Sequence, residues 1–348
     1  MSSDLVAEAA RIADTILFPG AIQTDRSGQL STDALDALAA AGLYGLSAPA
    51  PLGPANGGGP HAHLDVIETL AGGCLSTTFV WMQHHGSVIA LSYQAGDAAR
   101  ERWLARLASG KLRTTVAFSG LRRPEPPTRA KRVPGGWHLD GSAPWVSGWG
   151  HAQLVYVAAV DDEGTIVWAL IDAVEAPTLA AECLPLAALA ATNTVRLTFR
   201  AHPVADDRVV ALQPLSEWRA RDGTGPALVA NGAPTLGLIA RCAQLLGPGP
   251  LDQELARCRA QMREGDDDAV IAARAWASEL ASRASMGFLA SRGGSGLLAQ
   301  NHAQRLCREA MALAVLGQTH AIRTGQLEIM TRDSQRLGSR LTGGPGYL

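Results

Sequence analysis

The stretch WHLDGSAPWVSGWGHAQLVYVAA, residues 137–159, decides how this chain is laid out. It reads as β structure: a strand, a turn rich in Gly, and a second, more apolar strand. It does not stand alone. RTTVAFSG (113–120), GTIVWALIDA (164–173) and NTVRLTFRAHPV (193–204) have the same texture. Val195, Leu197 and Phe199 alternate with polar neighbours, the period of a half-buried strand. DDEG (161–164) between two such runs predicts a turn. Together these runs predict a β domain over 114–214.

On both sides the texture is helical. Leu5, Ala9, Ile12 and Ile16 recur near the helical period. Asp4 and Glu8 among them make this an amphipathic helix, not a signal peptide. Ser31 or Thr32 can cap a helix that ends at Gly42. A loop rich in Gly and Pro (48–60) follows, then two long helices within 61–93 that break near Gly72–Gly73. The N-terminal helical domain is predicted over 1–113. Beyond residue 215, the runs 228–247, 252–262, 267–292 and 302–330 predict four packed helices to 335, with a loose tail at 336–348. The last of these carries Gly317 in its middle, at a cost of about 1 kcal/mol relative to Ala in a helix interior.

Composition narrows the function. With 348 residues, 47% hydrophobic and 18% charged, the chain can fill a sizeable core. Thirty basic and 32 acidic residues give a net charge of −2, which argues against nucleic acid as a partner. The five cysteines are scattered and form no CxxC pair, the usage of reduced thiols in a cytoplasmic protein. No metal-ligating cluster stands out. The most apolar long stretch is interrupted by Asn231, Pro234 and Arg241, so no membrane span is predicted.

The order of these parts, and their wording, resembles the acyl-CoA dehydrogenase superfamily. DALAAAGLYGLSAP (36–49), STTFVWMQHHGSV (76–88), LASGKLRTTVAFS (107–119), the 137–159 stretch, VADDRVV (204–210) and GGSGLLAQNHAQRLCREA (293–310) follow one another as that family's motifs do. The resemblance implies an α+β fold: an N-terminal helical domain, a central β domain and a C-terminal four-helix bundle. It implies a flavin, FAD or alternatively FMN, between the β domain and the bundle. The substrate would be an acyl-CoA or acyl-carrier thioester, oxidised at Cα–Cβ. Electrons would pass to a transfer partner or to oxygen. A homo-oligomer (dimer or tetramer) is expected, a heteromer being the alternative.

Residue by residue, the resemblance places Trp145 and Ser147 against the flavin ring, the alternative being a strand Trp in the core. Phe118 and Ser119 fall at ring-contacting positions, or pack as plain strand residues. After Ser119 the match fails: GLRRPEPPTRA replaces the family's pyrophosphate loop, leaving Arg122, Arg123 and Arg129 to meet phosphates or simply solvent. Gly293 and Gly294 allow close approach of backbone to cofactor, or suit a helix turn. The family's Arg-x-x-Phe-Gly is missing; Arg259 or Arg263 is a candidate without a register.

Counting from Arg308–Glu309–Ala310, the family's catalytic Glu falls on Gly317, and the alternative base position falls near Ala227. Neither is a carboxylate. The Gly317 N–H is left as a donor to the thioester carbonyl. His84, His85 and His320 are candidate proton acceptors, His84 foremost because of its Ser-rich lead-in; the alternative is a hydrogen-bonded core imidazole. Glu309 is expected in a salt bridge on a helix face. Two other functions remain open: a flavin monooxygenase on the same fold, and a non-catalytic subunit of a heteromeric enzyme.

Overall fold

The computed structural model describes residues 2–54 and 61–331; part of the Gly/Pro-rich loop and the predicted tail lie outside the described residues. Helices open the chain: α1 Ser2–Ile12, joined through a π-helical stretch Ala13–Leu17 to α2 Phe18–Ser27, then α3 Thr32–Ala40, α4 Ala62–Gly73, α5 Leu75–Tyr93 and α6 Asp97–Ala108. Ser31 caps α3, its hydroxyl accepting from the Ala34 N–H at 3.3 Å. Ile12, Leu17, Leu38, Tyr44, Ile67, Leu70 and Trp81 form the core of this part.

Eight strands follow: β1 Thr114–Ala117, β2 Thr128–Val133, β3 Gly136–Val146, β4 Leu154–Val160, β5 Thr165–Asp172, β6 Leu179–Cys183, β7 Val195–Ala205 and β8 Val209–Pro214. Their order in the sheet is β6-β7-β3-β2-β4-β5-β8, with β1 parallel to β4. Strand β4 explains its unbroken apolar run. Leu154, Tyr156 and Ala158 face Val88, Leu91, Trp103 and Leu107 of α5 and α6, while Val155, Val157 and Ala159 face Trp137, Leu139, Leu197 and Phe199. A strand covered on both faces needs no polar alternation.

The C-terminal part holds α7 Leu215–Arg221, α8 Gly225–Ala230, α9 Ala233–Leu246, α10 Pro250–Glu264, α11 Asp267–Arg292, α12 His302–Leu313 and α13 His320–Met330. Two of the four predicted helices are divided. Pro234 lacks an N–H and sits at the start of α9, so the chain breaks after α8. The predicted helix 302–330 is α12, a turn over 314–319, and α13. Gly317 is therefore not in a helix interior. It stands in the turn at φ +60°, where a side chain is disfavoured. Thr319 restarts the helix, its hydroxyl accepting from the Ile322 N–H at 3.3 Å.

Helix α9 lies directly on α4. A Cβ at Gly237 would come within 2.0 Å of the Glu68 carbonyl oxygen, so only glycine permits this approach. Glu68 is also held by Arg259 and Arg263 of α10, which accounts for those two arginines as braces between the bundle and the N-terminal helices. All five cysteines are free thiols. Among the described residues no helix is long and apolar enough to cross a membrane, and none forms a metal-ligating group of three or more His, Cys, Asp or Glu.

Candidate functional site

Four of the residues singled out from the sequence gather at one end of β1 and β3. Phe118 closes β1, and its ring meets Trp168 and Trp218 edge-on at centroid distances of 5.9 and 6.4 Å. The Ser119 hydroxyl donates to the Pro144 carbonyl at 2.7 Å, tying the loop after β1 to β3. There β3 slips register against β7 between Ala143 and Val146. The irregularity contains Pro144 and Trp145. Trp145 takes φ +59°, a conformation unfavourable for a bulky side chain, and its residue is 59% exposed. The chain spends backbone strain to hold a large apolar surface in water, which marks a surface meant to be covered. Ser147 behaves differently. It is buried, and its hydroxyl joins a chain with Thr194 (2.7 Å) and Thr192 (2.8 Å) that ends on the Leu189 carbonyl. Its hydroxyl therefore faces the interior and not a ring edge outside.

The loop after β1 also reaches the C-terminal bundle. Arg122 makes a two-pronged bond to Asp222 at 2.7 and 2.8 Å. Arg219 of α7 donates to the carbonyls of Leu121 and Pro124, and also to that of Arg123. Arg129 instead pairs with Asp162, away from this contact. Facing Arg122 is Arg274 of α11, a buried residue that the sequence reading missed. Its guanidinium donates to the carbonyl of Gly317 at 3.0 Å and to that of Leu316 at 3.4 Å. Burial, and then the charge of Arg122, push Arg274 down to about 10. A Cβ added at Gly317 would lie 3.2 Å from Asn231 Cβ and 3.3 Å from Arg274 Nη2. The position counted as the usual base thus faces a cation. Arg274 escaped the sequence reading because its helix, DDAVIAARAWASEL, reads as any amphipathic helix; its burial is a property of the packed turn.

The imidazoles are placed otherwise than expected. His84 Nδ1 accepts from the Thr114 N–H at 3.1 Å, and its other nitrogen donates to the Leu107 carbonyl at 3.2 Å. Both nitrogens are spoken for, the residue is 1% exposed, and burial pushes the ring down to about 3. His84 joins α5 to β1 as a hydrogen-bonded core imidazole, the alternative weighed for it from the sequence. His85 shares the Ser47 hydroxyl with His63, at 3.1 and 3.2 Å, and burial lowers its pKa as well. His320 opens α13 and is exposed, so it does not share a helix face with Gly317.

Glu309 pairs with Arg305 at 2.5 Å, as expected for a salt bridge, but both residues are buried. Gly293 ends α11 at φ +59°, and Gly294 follows it in a short 3-10 turn; both are exposed. They lie nineteen positions beyond Arg274, roughly 28 Å along the helix at 1.5 Å per residue. They adjoin a cleft of about 510 Å³ lined by Phe18, Leu245, Phe288, Arg292, Leu298 and His302. A single chain does not bring them to the Gly317 turn.

Residues 2–111 match the family model of the acyl-CoA dehydrogenase N-terminal domain, and the sheet and bundle just described complete that fold. Residues 2–111 thus resemble the acyl-CoA dehydrogenase N-terminal domain, and the chain as a whole has the acyl-CoA dehydrogenase fold. Among solved structures it is similar to the glutaryl-CoA dehydrogenase of Mycobacterium smegmatis in complex with FADH2, with 17% identity, 95% of each chain covered and a TM-score of 0.77. It is similar also to the glutaryl-CoA complex of a glutaryl-coenzyme A dehydrogenase, with 16% identity, 99% of this chain and 97% of that one covered, and a TM-score of 0.80. Among curated proteins it resembles the 3-sulfinopropanoyl-CoA desulfinase of Paraburkholderia xenovorans, with 29% identity over 163 residues. That match spans 44% of this chain and about two fifths (41%) of the relative.

Proposed function

We propose that this chain is a member of the acyl-CoA dehydrogenase superfamily, a flavin-dependent oxidoreductase that takes an acyl thioester and oxidises it at Cα–Cβ, with a proton acceptor other than residue 317. The observation that carries the reading is Trp145. Its exposed indole, held at positive φ beside the Phe118–Ser119 segment, is a flat platform that fits a flavin ring. The Ser119 hydroxyl keeps its acceptor lone pairs and lies on the same segment. FAD, rather than FMN, is the expected form, since the similar glutaryl-CoA dehydrogenase of Mycobacterium smegmatis holds FADH2. Bound there, a flavin would supply the hydride acceptor. The phosphate end is less provided for: Arg122 is taken up by Asp222, which leaves the exposed Arg123 and, from another protomer, the open backbone at Gly293 and Gly294.

The chain's own residues supply the rest. The turn at Gly317 offers backbone N–H groups suited to a thioester carbonyl, and Arg274 fixes that turn through its carbonyls. Met286, Leu297, Leu298, Met311 and Val315 are exposed apolar residues at the C-terminal end of the chain, a surface that suits the expected homo-oligomer.

The visible spectrum of the purified chain tests the reading. Bound flavin that bleaches on anaerobic addition of an acyl thioester supports it. A colourless chain that takes up flavin only with a partner subunit sinks it in favour of the non-catalytic role. Oxygen consumption with externally supplied reduced flavin, and no bleaching by thioester, sinks it in favour of a monooxygenase.

A further inference from the structure

Two arginines are buried among the described residues, Arg305 and Arg274. Arg305 is paired with Glu309, and the half-buried Arg259 and Arg263 are paired with Glu68, Arg308 with Asp25 and Arg241 with Asp14. Arg274 is only 6% exposed, yet no carboxylate pairs with it among the described residues. Its acceptors are the two peptide carbonyls of Leu316 and Gly317. Peptide oxygens satisfy N–H groups but carry no net charge. A desolvated cation without a counter-charge is costly, and such groups are ordinarily paired. The nearby guanidinium of Arg122 does not relieve that cost, and the carboxylate beside Arg122, Asp222, is already taken up by that arginine.

The residue that could have neutralised Arg274 most directly is the one opposite it. A Cβ at position 317 would lie 3.3 Å from Arg274 Nη2, so an acidic side chain there would reach the guanidinium. That residue is glycine. The described residues therefore keep a desolvated guanidinium and supply no anion for it, at the turn assigned above to the thioester. A guanidinium fork matches a planar or pyramidal oxo-anion through two parallel hydrogen bonds.

We propose that the substrate brings the missing counter-ion: the acyl group carries a terminal carboxylate or a comparable oxo-anion such as a sulfinate, and Arg274 receives it. This rests on the acyl-thioester reading above and narrows it to one substrate class. It also gives the glycine a second purpose. A carboxylate at 317 would occupy Arg274 and repel the anionic end of the substrate, so its absence is part of the selectivity.

Calorimetric titration of the purified full chain tests this without any turnover. The ligands are three matched pairs of thioesters: malonyl- and propanoyl-CoA, succinyl- and butanoyl-CoA, glutaryl- and pentanoyl-CoA. The expected result is at least tenfold tighter binding of the anionic member in one or more pairs. In Arg274→Gln the preference for the anionic member falls below twofold, even where loosening of the Gly317 turn weakens both members of a pair, and Arg274→Lys keeps part of it. Equal binding of both members by the unaltered chain overturns this proposal and leaves the acyl-thioester reading standing. Binding of none of the six overturns both. A preference that survives in a folded Arg274→Gln chain overturns the assignment to Arg274. The comparison within the unaltered chain holds even where a variant fails to fold.

Discussion

The guanidinium of Arg274 and the carbonyl of Gly317 are 3.0 Å apart, and this bond fixes a left-handed turn between two helices. The turn depends on the glycine, because an L side chain at φ +60° costs about 1–2 kcal/mol. Gly317→Ala is expected to lower the unfolding free energy by that amount in urea titration, and Gly317→Asn by less, since Asn tolerates this region. Gly317→Glu is expected to gain no dehydrogenase activity, because its carboxylate would pair with Arg274, which lowers its basicity. An Ala variant as stable as the parent would show that the turn relaxes freely.

His84 makes a prediction about pH. Its folded-state pKa, about 3, lies below the ordinary value of 6.5 because the ring is buried. Between those values the unfolded chain binds more protons than the folded one. The neutral imidazole therefore contributes its full stability above pH 6.5 and loses it as pH falls toward 3. His63, lowered to about 4, acts in the same direction. Thermal melts of His84→Gln should show a lower Tm at pH 7.5 but a shallower fall between pH 6.5 and 4.5. The difference is about 1 kcal/mol per pH unit. The variant's pH–rate profile should keep the parent's shape, since both ring nitrogens of His84 are engaged by the Thr114 N–H and the Leu107 carbonyl; a lost limb in that profile would contradict this.

Much of the layout was legible because it rests on local pattern. The β4 run, the Ser31 cap and the break before Leu75 are each written in a few consecutive residues. The turn at 314–319 reads through as helix because apolar residues flank it on both sides, although Gly317 and the capping Thr319 are the two local signals of the break. Ser147 and His84 illustrate the same limit. Each stands at a position that the family resemblance marks as functional, yet each directs its polar atoms inward, to Thr194 and to Thr114 and Leu107. Arg274 had the opposite fate: its unpaired charge shows only when the neighbours of α11 are assembled.

The Arg305–Glu309 pair is buried, and Glu309 leaves one carboxylate oxygen without a hydrogen bond. Burial raises the Glu309 pKa while Arg305 opposes it. Removing one partner strands the other charge. Glu309→Ala is expected to cost about 3–5 kcal/mol in chemical denaturation. A double variant, Arg305→Met with Glu309→Leu, should recover most of that loss, because two apolar side chains leave no stranded charge. A double variant as unstable as Glu309→Ala would show that the ion pair itself, rather than the stranded charge, supplies the stability.

Trp145 separates stability from function. Its φ of +59° is a cost to the fold, and its exposed indole buries little in return. Trp145→Gly removes both the strain and the platform. The flavin-free chain should therefore melt at the same temperature or higher, by up to about 1–2 kcal/mol of relieved strain. Flavin affinity, followed by the quenching of flavin fluorescence, should fall by roughly tenfold, the worth of one good aromatic contact. Trp145→Phe keeps a ring and keeps the strain, so it should retain most of the affinity and none of the added stability. Unchanged flavin affinity in the glycine variant would mean that the indole covers some other surface. A lower melting temperature would mean that the bulge at Pro144–Trp145 is held by the side chain rather than against it.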